Sequence, residues 1–284
     1  IAGKGALQHY AGETILTGQA GHTGSTTLHG GTLEISGGGA VFGTYEVVIA
    51  ENPGEAAGLI VSGANGGGQI SLAGGPEDYD EQNGGGPGYL YVGARGAGSL
   101  AITDGGSIED FTAYVGTGVG SAGTATVDGA GSTWINRGNL HVAWRGSGSL
   151  AITNGGAVSN GGDTTIGSDG TGSIGIDGAG SSLSTGGVLY VGDYDVGALT
   201  VTDGGSAAAA AVVIGSGDEG LGSVTLAGTG SKLESGEFLF VGLEGSGELA
   251  ISGGAKVDGQ VGYLGYYAGS DGTVTVEGAG SAWT

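Results

Sequence analysis

Acidic side chains are the commonest reactive groups in this sequence. Its 284 residues hold 28 Asp and Glu but only six Lys and Arg, a net charge of −22. Two carboxylates roughly 5–9.5 Å apart beside a sugar groove would be equipped to cleave a glycosidic bond. Asp104 and Asp203 lie in recurring Asp-Gly-Gly segments, with Asn154 and Ser252 read at the matching places. Asp128 and Asp177 become Ala227 and Glu277 in later copies. A group exchanged so freely is better explained by the preference of Asp, Asn and Gly for tight turns than by catalysis. His9, His22, His29 and His141 are scattered, with no nucleophile motif beside them; a Ser-His-Asp constellation is not indicated. No enzymatic activity and no cofactor are expected. Glu77, Asp78, Asp80 and Glu81 offer hard oxygen ligands that could hold calcium on a loop. The calcium-binding nonapeptide of β-rolls does not recur, so the simpler reading is a solvated acidic loop.

The aromatic residues follow a different pattern. Tyr91, Tyr114, His141, Tyr190, Phe240 and Tyr263 each occupy the middle of a short apolar segment, a place filled by Thr165 and Val213 in other copies. Strands stacked in register would bring them into one outward column. Such a column can bind sugars or proteins by stacking and apolar contact; alternatively, it can stiffen a sheet through cross-strand pairs. A second column, Ala101, Thr126, Ala151, Gly175, Thr200, Thr225, Ala250 and Thr275, is uniformly small. A flat face of this kind could dock on another rod with little loss of side-chain entropy.

Both columns presuppose a repeat. Gly129-Ala-Gly-Ser132, Gly178-Ala-Gly-Ser181, Gly228-Thr-Gly-Ser231 and Gly278-Ala-Gly-Ser281 are spaced by 49, 50 and 50 residues. Leu90-Tyr-Val-Gly93, Leu140-His-Val-Ala143, Leu189-Tyr-Val-Gly192 and Leu239-Phe-Val-Gly242 run between them, as do Leu100-Ala-Ile-Thr-Asp-Gly-Gly106 and its copies from Leu150, Leu199 and Leu249, the last read as one residue shorter. Each unit contains two similar halves of three short alternating segments. Period-two alternation turns Leu90, Val92, Leu100, Ile102, Ile108 and Trp134 inward, with their counterparts in every copy, including Val274 and Val276. The expected fold is all-β, a right-handed parallel β-helix (solenoid) with three short strands and about 24 residues per coil. About twelve coils would make a rod of roughly 55 Å.

Composition agrees. Glycine supplies 73 residues but not at every third position, and 38% of the chain is hydrophobic, so collagen and disorder are both poor fits. Cysteine and methionine are absent, leaving repetition and burial to provide stability. The acidic field opposes nucleic acid and anionic membrane surfaces, and no apolar stretch is long enough for a spanning helix. Residues 1–38 are expected to form N-terminal coils, 39–88 a degenerate repeat with an acidic insertion at 76–88, and 89–284 four 50-residue double coils, all in one continuous solenoid. No signal peptide opens the sequence and neither end reads as a cap, so a mature form or a piece of a longer rod is expected.

Gly5-Ala-Leu7, Leu16-Thr-Gly18, Thr23-Gly-Ser-Thr-Thr27 and Gly30-Gly-Thr-Leu-Glu-Ile35 resemble the passenger-associated repeat of autotransporters (type V secretion). The 50-residue units resemble the glycine-rich repeat of large autotransporter and related bacterial surface proteins. That resemblance implies an extracellular β-helical passenger, anchored to the Gram-negative outer membrane through a C-terminal β-barrel outside this sequence. It further implies an adhesin or self-associating rod whose partners are proteins or glycans of a host or neighbouring cell. The alternatives are an inert stalk projecting a distal domain and a polysaccharide-degrading β-helix enzyme.

Overall fold

A computed structural model describes residues 2–64, 66–72 and 88–284. Its described residues form strands and turns with no helix, and every strand pairing is parallel. Each coil contributes a strand to each of three faces. The first face holds Tyr89–Val92, Thr112–Val115 and Leu140–Val142; the second holds Ala97–Thr103, Ala122–Asp128 and Ser147–Thr153; the third holds Ser107–Asp110, Thr133–Asn136 and Ala157–Asn160. Toward the C-terminus the third-face strand runs on into the next first-face strand, as in Ser182–Val191 and Lys232–Val241, joining the two faces into one sheet. The second face is a separate sheet of eleven strands from Glu13–Leu16 to Asp271–Val276, against the dozen coils expected.

Register is regular. Leu100 lies opposite Ala125, Ala125 opposite Leu150, Leu150 opposite Ile174 and Ile174 opposite Leu199, giving 24 or 25 residues per coil. The first coil is shorter, with Thr14 opposite Leu33. Between Leu59 and Leu100 one coil is enlarged; its acidic insertion, with Glu77, Asp78, Asp80 and Glu81, lies outside the described residues.

The alternating segments bury the faces that period two assigns. Leu90, Val92, Leu140, Val142, Leu189, Val191, Leu239 and Val241 are all buried, as are Leu100, Ile102, Val127, Ile152, Ile176, Val201, Leu226 and Ile251. Trp134 is the largest fully buried side chain. Val276 departs from the pattern and is 46% exposed, because its strand has a neighbour on one side only.

The corner from the first to the second face is where the chain is most constrained. There Gly98, Gly123, Gly148, Gly172, Gly197, Gly222, Gly247 and Gly272 pair in sequence as a continuous column. Each lies over an inter-coil hydrogen bond. Gly215 N–H donates to the Val191 carbonyl at 2.9 Å, and a Cβ on Gly222 would press into both of those atoms. The same conflict recurs at Gly123 with the Gly116 N–H and the Val92 carbonyl. The residue that follows the first-face strand is in the left-handed region, usually as glycine but as Ala50 at φ 57° and Ala143 at φ 66° in two coils.

Turn chemistry accounts for the motifs that define the repeat. Asp104, Asn154 and Asp203 have φ values of 54°, 52° and 49°, in the region that tolerates Asp and Asn better than other side chains. Ser252 is not their counterpart. It pairs with Ala227, which pairs with Thr202, and Gly253 takes the left-handed position at φ 63°; the copy from Leu249 is therefore full length, with Ala255 standing where Gly106 does. The buried serine of Gly-Ala-Gly-Ser ties two coils together. Ser181 Oγ donates to the Asp177 carbonyl at 2.6 Å and accepts from Gly155 N–H of the previous coil at 3.0 Å. Ser132 does the same between Asp128 and Gly105.

Gly222→Ala should lower stability by about 3 kcal/mol, since the overpacked atom meets backbone and cannot be accommodated by a rotamer change. Ala143→Gly should change it by less than about 1 kcal/mol, because relief of left-handed strain offsets the lost methyl and the added chain entropy. Chemical denaturation of the two variants measures both.

Candidate binding surface

Each first-face strand points a central side chain outward between two inward ones, and Tyr89 and Phe238 add a second outward ring two residues earlier, beside Tyr91 and Phe240. Those central residues pair as the sequence spacing requires: Tyr91 with Tyr114, Tyr114 with His141, His141 with Thr165, Thr165 with Tyr190, Tyr190 with Val213, Val213 with Phe240 and Phe240 with Tyr263. The column is half-buried rather than freely exposed, since its rings cover one another. Tyr91 and Tyr114 stack at 5.2 Å, Tyr114 and His141 at 4.9 Å, and Phe240 and Tyr263 at 4.7 Å, all near parallel. Thr165 and Val213 are short, sit between taller neighbours and are buried. Ring faces spent on mutual stacking are closed to a ligand, leaving edges and hydroxyls outward.

The aromatic surface that remains open stands on the adjoining corner turns and, at Phe238, on the strand Lys232–Val241 itself. Trp144 meets His141 edge-on at 4.7 Å and Tyr114 at 6.0 Å. Tyr266 is edge-on to Phe240 at 5.3 Å, to Tyr263 at 5.1 Å and to Tyr267 at 4.9 Å. Trp144, Phe238, Tyr266 and Tyr267 are between 37% and 52% exposed. Sequence reasoning missed Trp144, Tyr266 and Tyr267 because turn residues carry no period to assign them a face; Phe238 lies on the strand Lys232–Val241, two residues before Phe240, where period two turns it outward. Their proximity to the column, three or four residues beyond His141 and Tyr263, is the signal that could have found Trp144, Tyr266 and Tyr267. The surface thus has two aromatic clusters, one around Trp144 and one around Tyr266, with Tyr190 between them.

Electrostatics leave the column neutral at physiological pH. Burial lowers the His141 imidazole to about 4, with Asp163 acting weakly in the opposite sense, so the ring stacks uncharged. Burial likewise raises the hydroxyls of Tyr91, Tyr114 and Tyr190, which remain protonated. The small-residue column of the second face is also in register, Ala101 with Thr126, Thr126 with Ala151, and onward to Thr275.

Among the described residues the carboxylates stay dispersed. Asp128 accepts from Thr153 and Asn154 at 2.6 Å, and these bonds hold its carboxyl below the usual range. His9 and His22 are buried; His9 bonds the Gly30 carbonyl and Thr14, and His22 bonds Thr26. His29 contacts Glu55 at 3.0 Å. Among the described residues no three His, Cys, Asp or Glu groups converge on a metal-sized site. No protein-family model matches the chain, and no curated protein matches it in sequence. A crystal structure of a hyper-glycosylated TibA fragment, the product of TibC catalysis, aligns over 98% of this chain and 99% of its own length, at 19% identity and a TM-score of 0.29. At that overlap the account of this chain rests on its own residues.

Among the described residues the one deeply buried carboxylate, Asp110, is structural. Asp110 accepts from Trp134 Nε1 at 2.6 Å, while its other oxygen is buried without a partner. It heads an inward polar ladder in register with Asn136, Asn160 and Thr185. Asn136 Nδ2 reaches the Asn139 carbonyl at 3.0 Å, and Asn160 Nδ2 reaches Thr164 Oγ1 at 3.1 Å. Burial pushes the Asp110 carboxyl up to about 8, against the lowering effect of the Trp134 bond. A carboxyl raised in the folded state gives its full stabilisation below the ordinary Asp range and loses it as pH rises through about 8. Asp110→Asn keeps an acceptor for Trp134 and removes the ionisation. It should therefore be more stable than the parent, by an amount that grows between pH 4 and 8 and reaches up to about 5 kcal/mol. Thermal unfolding across that range checks the slope; equal curves for both proteins at every pH would refute it.

Proposed function

We propose that this chain is part of an exported, cell-surface passenger of the autotransporter kind, acting as an adhesive or self-associating rod and not as an enzyme. The observation that carries the reading is the unbroken register of the outward aromatic column, with open rings gathered at its two ends. Among the described residues the carboxylates are dispersed, glycine and turn chemistry account for the recurrent Asp residues, and no acid–base pair is evident for a glycosidic bond. The resemblance of residues 1–38 and of the 50-residue units to passenger repeats supports export and placement at the outer membrane through a separate barrel. Among the described residues no helix is long and apolar enough to cross a membrane.

The mutual stacking of Tyr91, Tyr114 and His141 favours a second reading, in which the column only stiffens an inert stalk. Display on a bacterial surface separates the two. Replacing Phe238, Tyr266 and Tyr267 together by Ser changes exposed rings and should leave the circular dichroism of the purified rod intact. In the adhesive reading those cells lose attachment and clumping toward the level of cells displaying no rod. In the stalk reading attachment is unchanged, and deleting one 50-residue unit in phase also leaves it unchanged.

A further inference from the structure

Two of the six basic residues of this acidic chain lie on one corner groove. Arg95 and Arg145 line it together with Pro53, Thr117, Val119 and Trp144. The coils of Tyr91, Tyr114 and His141 are consecutive in register, so Arg95 and Arg145, each four residues beyond its column residue, stand two coils apart, a rise of roughly 10 Å. The coil between them has Gly118 at the equivalent place. A Cβ there would meet the Ala94 carbonyl at 2.6 Å and Arg95 Cγ at 3.3 Å, so the glycine is needed first for the backbone and leaves the arginine stem uncovered by a side chain from the coil above. Among the described residues no carboxylate forms an ion pair with Arg95. Arg145 has an exposed partner, Asp169, at 3.7 Å, a solvent-screened contact of small net worth. Trp144 is pinned edge-on by His141 and Tyr114 and more than a third of it is open.

We infer that this groove is a binding site for an anionic oligosaccharide, one carrying carboxylate or sulfate groups along its length. The inference rests on the adhesive reading and names a ligand class for one of its two aromatic clusters. Guanidinium groups pair with carboxylate and sulfate through charge-assisted, forked hydrogen bonds. The fixed indole supplies an apolar platform for a pyranose ring. Two cations separated by two coils match a ligand with charges repeated along an extended chain. The groove is partly open to solvent, and its lining mixes two guanidinium groups and a hydroxyl with Pro53, Val119 and Trp144. An acidic rod repels an anionic polymer at long range, so recognition must be local. Glu51 and Glu55 on the coil before Arg95, and Asp169 on the coil after Arg145, confine the favourable stretch to the coils between. A ligand anion would displace Asp169 from Arg145 at little cost.

Calorimetric titration of the purified chain with a hexamer of galacturonic acid, its fully methyl-esterified form, a heparin hexasaccharide and hexaglutamate tests the site. Binding of either anionic sugar, with the neutral ester and the peptide at least about tenfold weaker, is expected. The double variant Arg95→Gln/Arg145→Gln should lose at least about tenfold in affinity for that sugar, and Trp144→Ala should lose affinity with both arginines intact. Preference for the uronate or for heparin tells carboxylate from sulfate recognition. The inference is overturned if neither anionic sugar binds, if the double variant binds as the parent does, or if hexaglutamate binds equally well. Because Phe238, Tyr266 and Tyr267 lie in the other cluster, failure here with attachment still lost in their triple variant rejects the groove and leaves the adhesive reading standing.

Discussion

Everything in this molecule is arranged around a close approach of backbone to backbone at one corner. Where the chain leaves the first face, an amide donates to the carbonyl of the coil below, and the next strand crosses directly above that bond with no room for a side chain. Glycine at that crossing in eight successive coils lets the corner close. The corner can be built with four residues between Gly93 and Gly98 or with six between Gly116 and Gly123, because the added residues loop outward while the crossing stays fixed. Inward ladders, serine ties and polar ladder all inherit their register from it. Outward positions range from Tyr to Thr to Val, while inward ones are mostly Leu, Val and Ile, with Ala113, Ala125, Trp134 and Thr164 filling the same columns.

How much of this could be read beforehand follows from which interactions leave a period in the sequence. Inward burial does: Leu90 with Val92 and Leu100 with Ile102 are separated by two, repeat with the coil, and emerge buried as assigned. Outward order follows from the same register, so the column from Tyr91 to Tyr263 was also legible. Its exposure was not, because stacking between neighbours depends on side-chain tilt and not on spacing. The glycine crossing was hidden among 73 glycines, most of them explicable as turn residues, and nothing in one sequence distinguishes a glycine needed for positive φ from one needed for space. Ser252 was misplaced for a related reason: a Gly-Gly pair can be aligned to Asp-Gly or to Gly-Gly, and only backbone dihedrals decide. Asp110, Asn136 and Asn160 gave no warning either, since one polar residue per coil at a strand end looks like a turn until its burial is known.

The two aromatic clusters divide the outward surface unequally. Around Trp144 the rings are accompanied by guanidinium groups and by a neutral imidazole. Around Tyr266 no arginine accompanies them, and Phe238, Tyr266 and Tyr267 make an apolar-rimmed patch. Chemistry so different on one scaffold costs the fold nothing, because neither cluster contributes to the inward ladders. Such independence suits a surface whose ligands change while its architecture does not.

Parallel strands wound perpendicular to the long direction of a solenoid place every inter-strand hydrogen bond along that direction. Tension applied to the two ends of the stack is therefore borne by successive coils in series, and the interfaces open one after another like the teeth of a zip. Each coil of about 25 residues freed in this way would lengthen the chain by roughly 80 Å, while the coils behind it keep their buried ladders, their serine ties and their outward rings. A stack with this grain lengthens stepwise under drag, dissipating force in its end coils before the grip of its sides is tested.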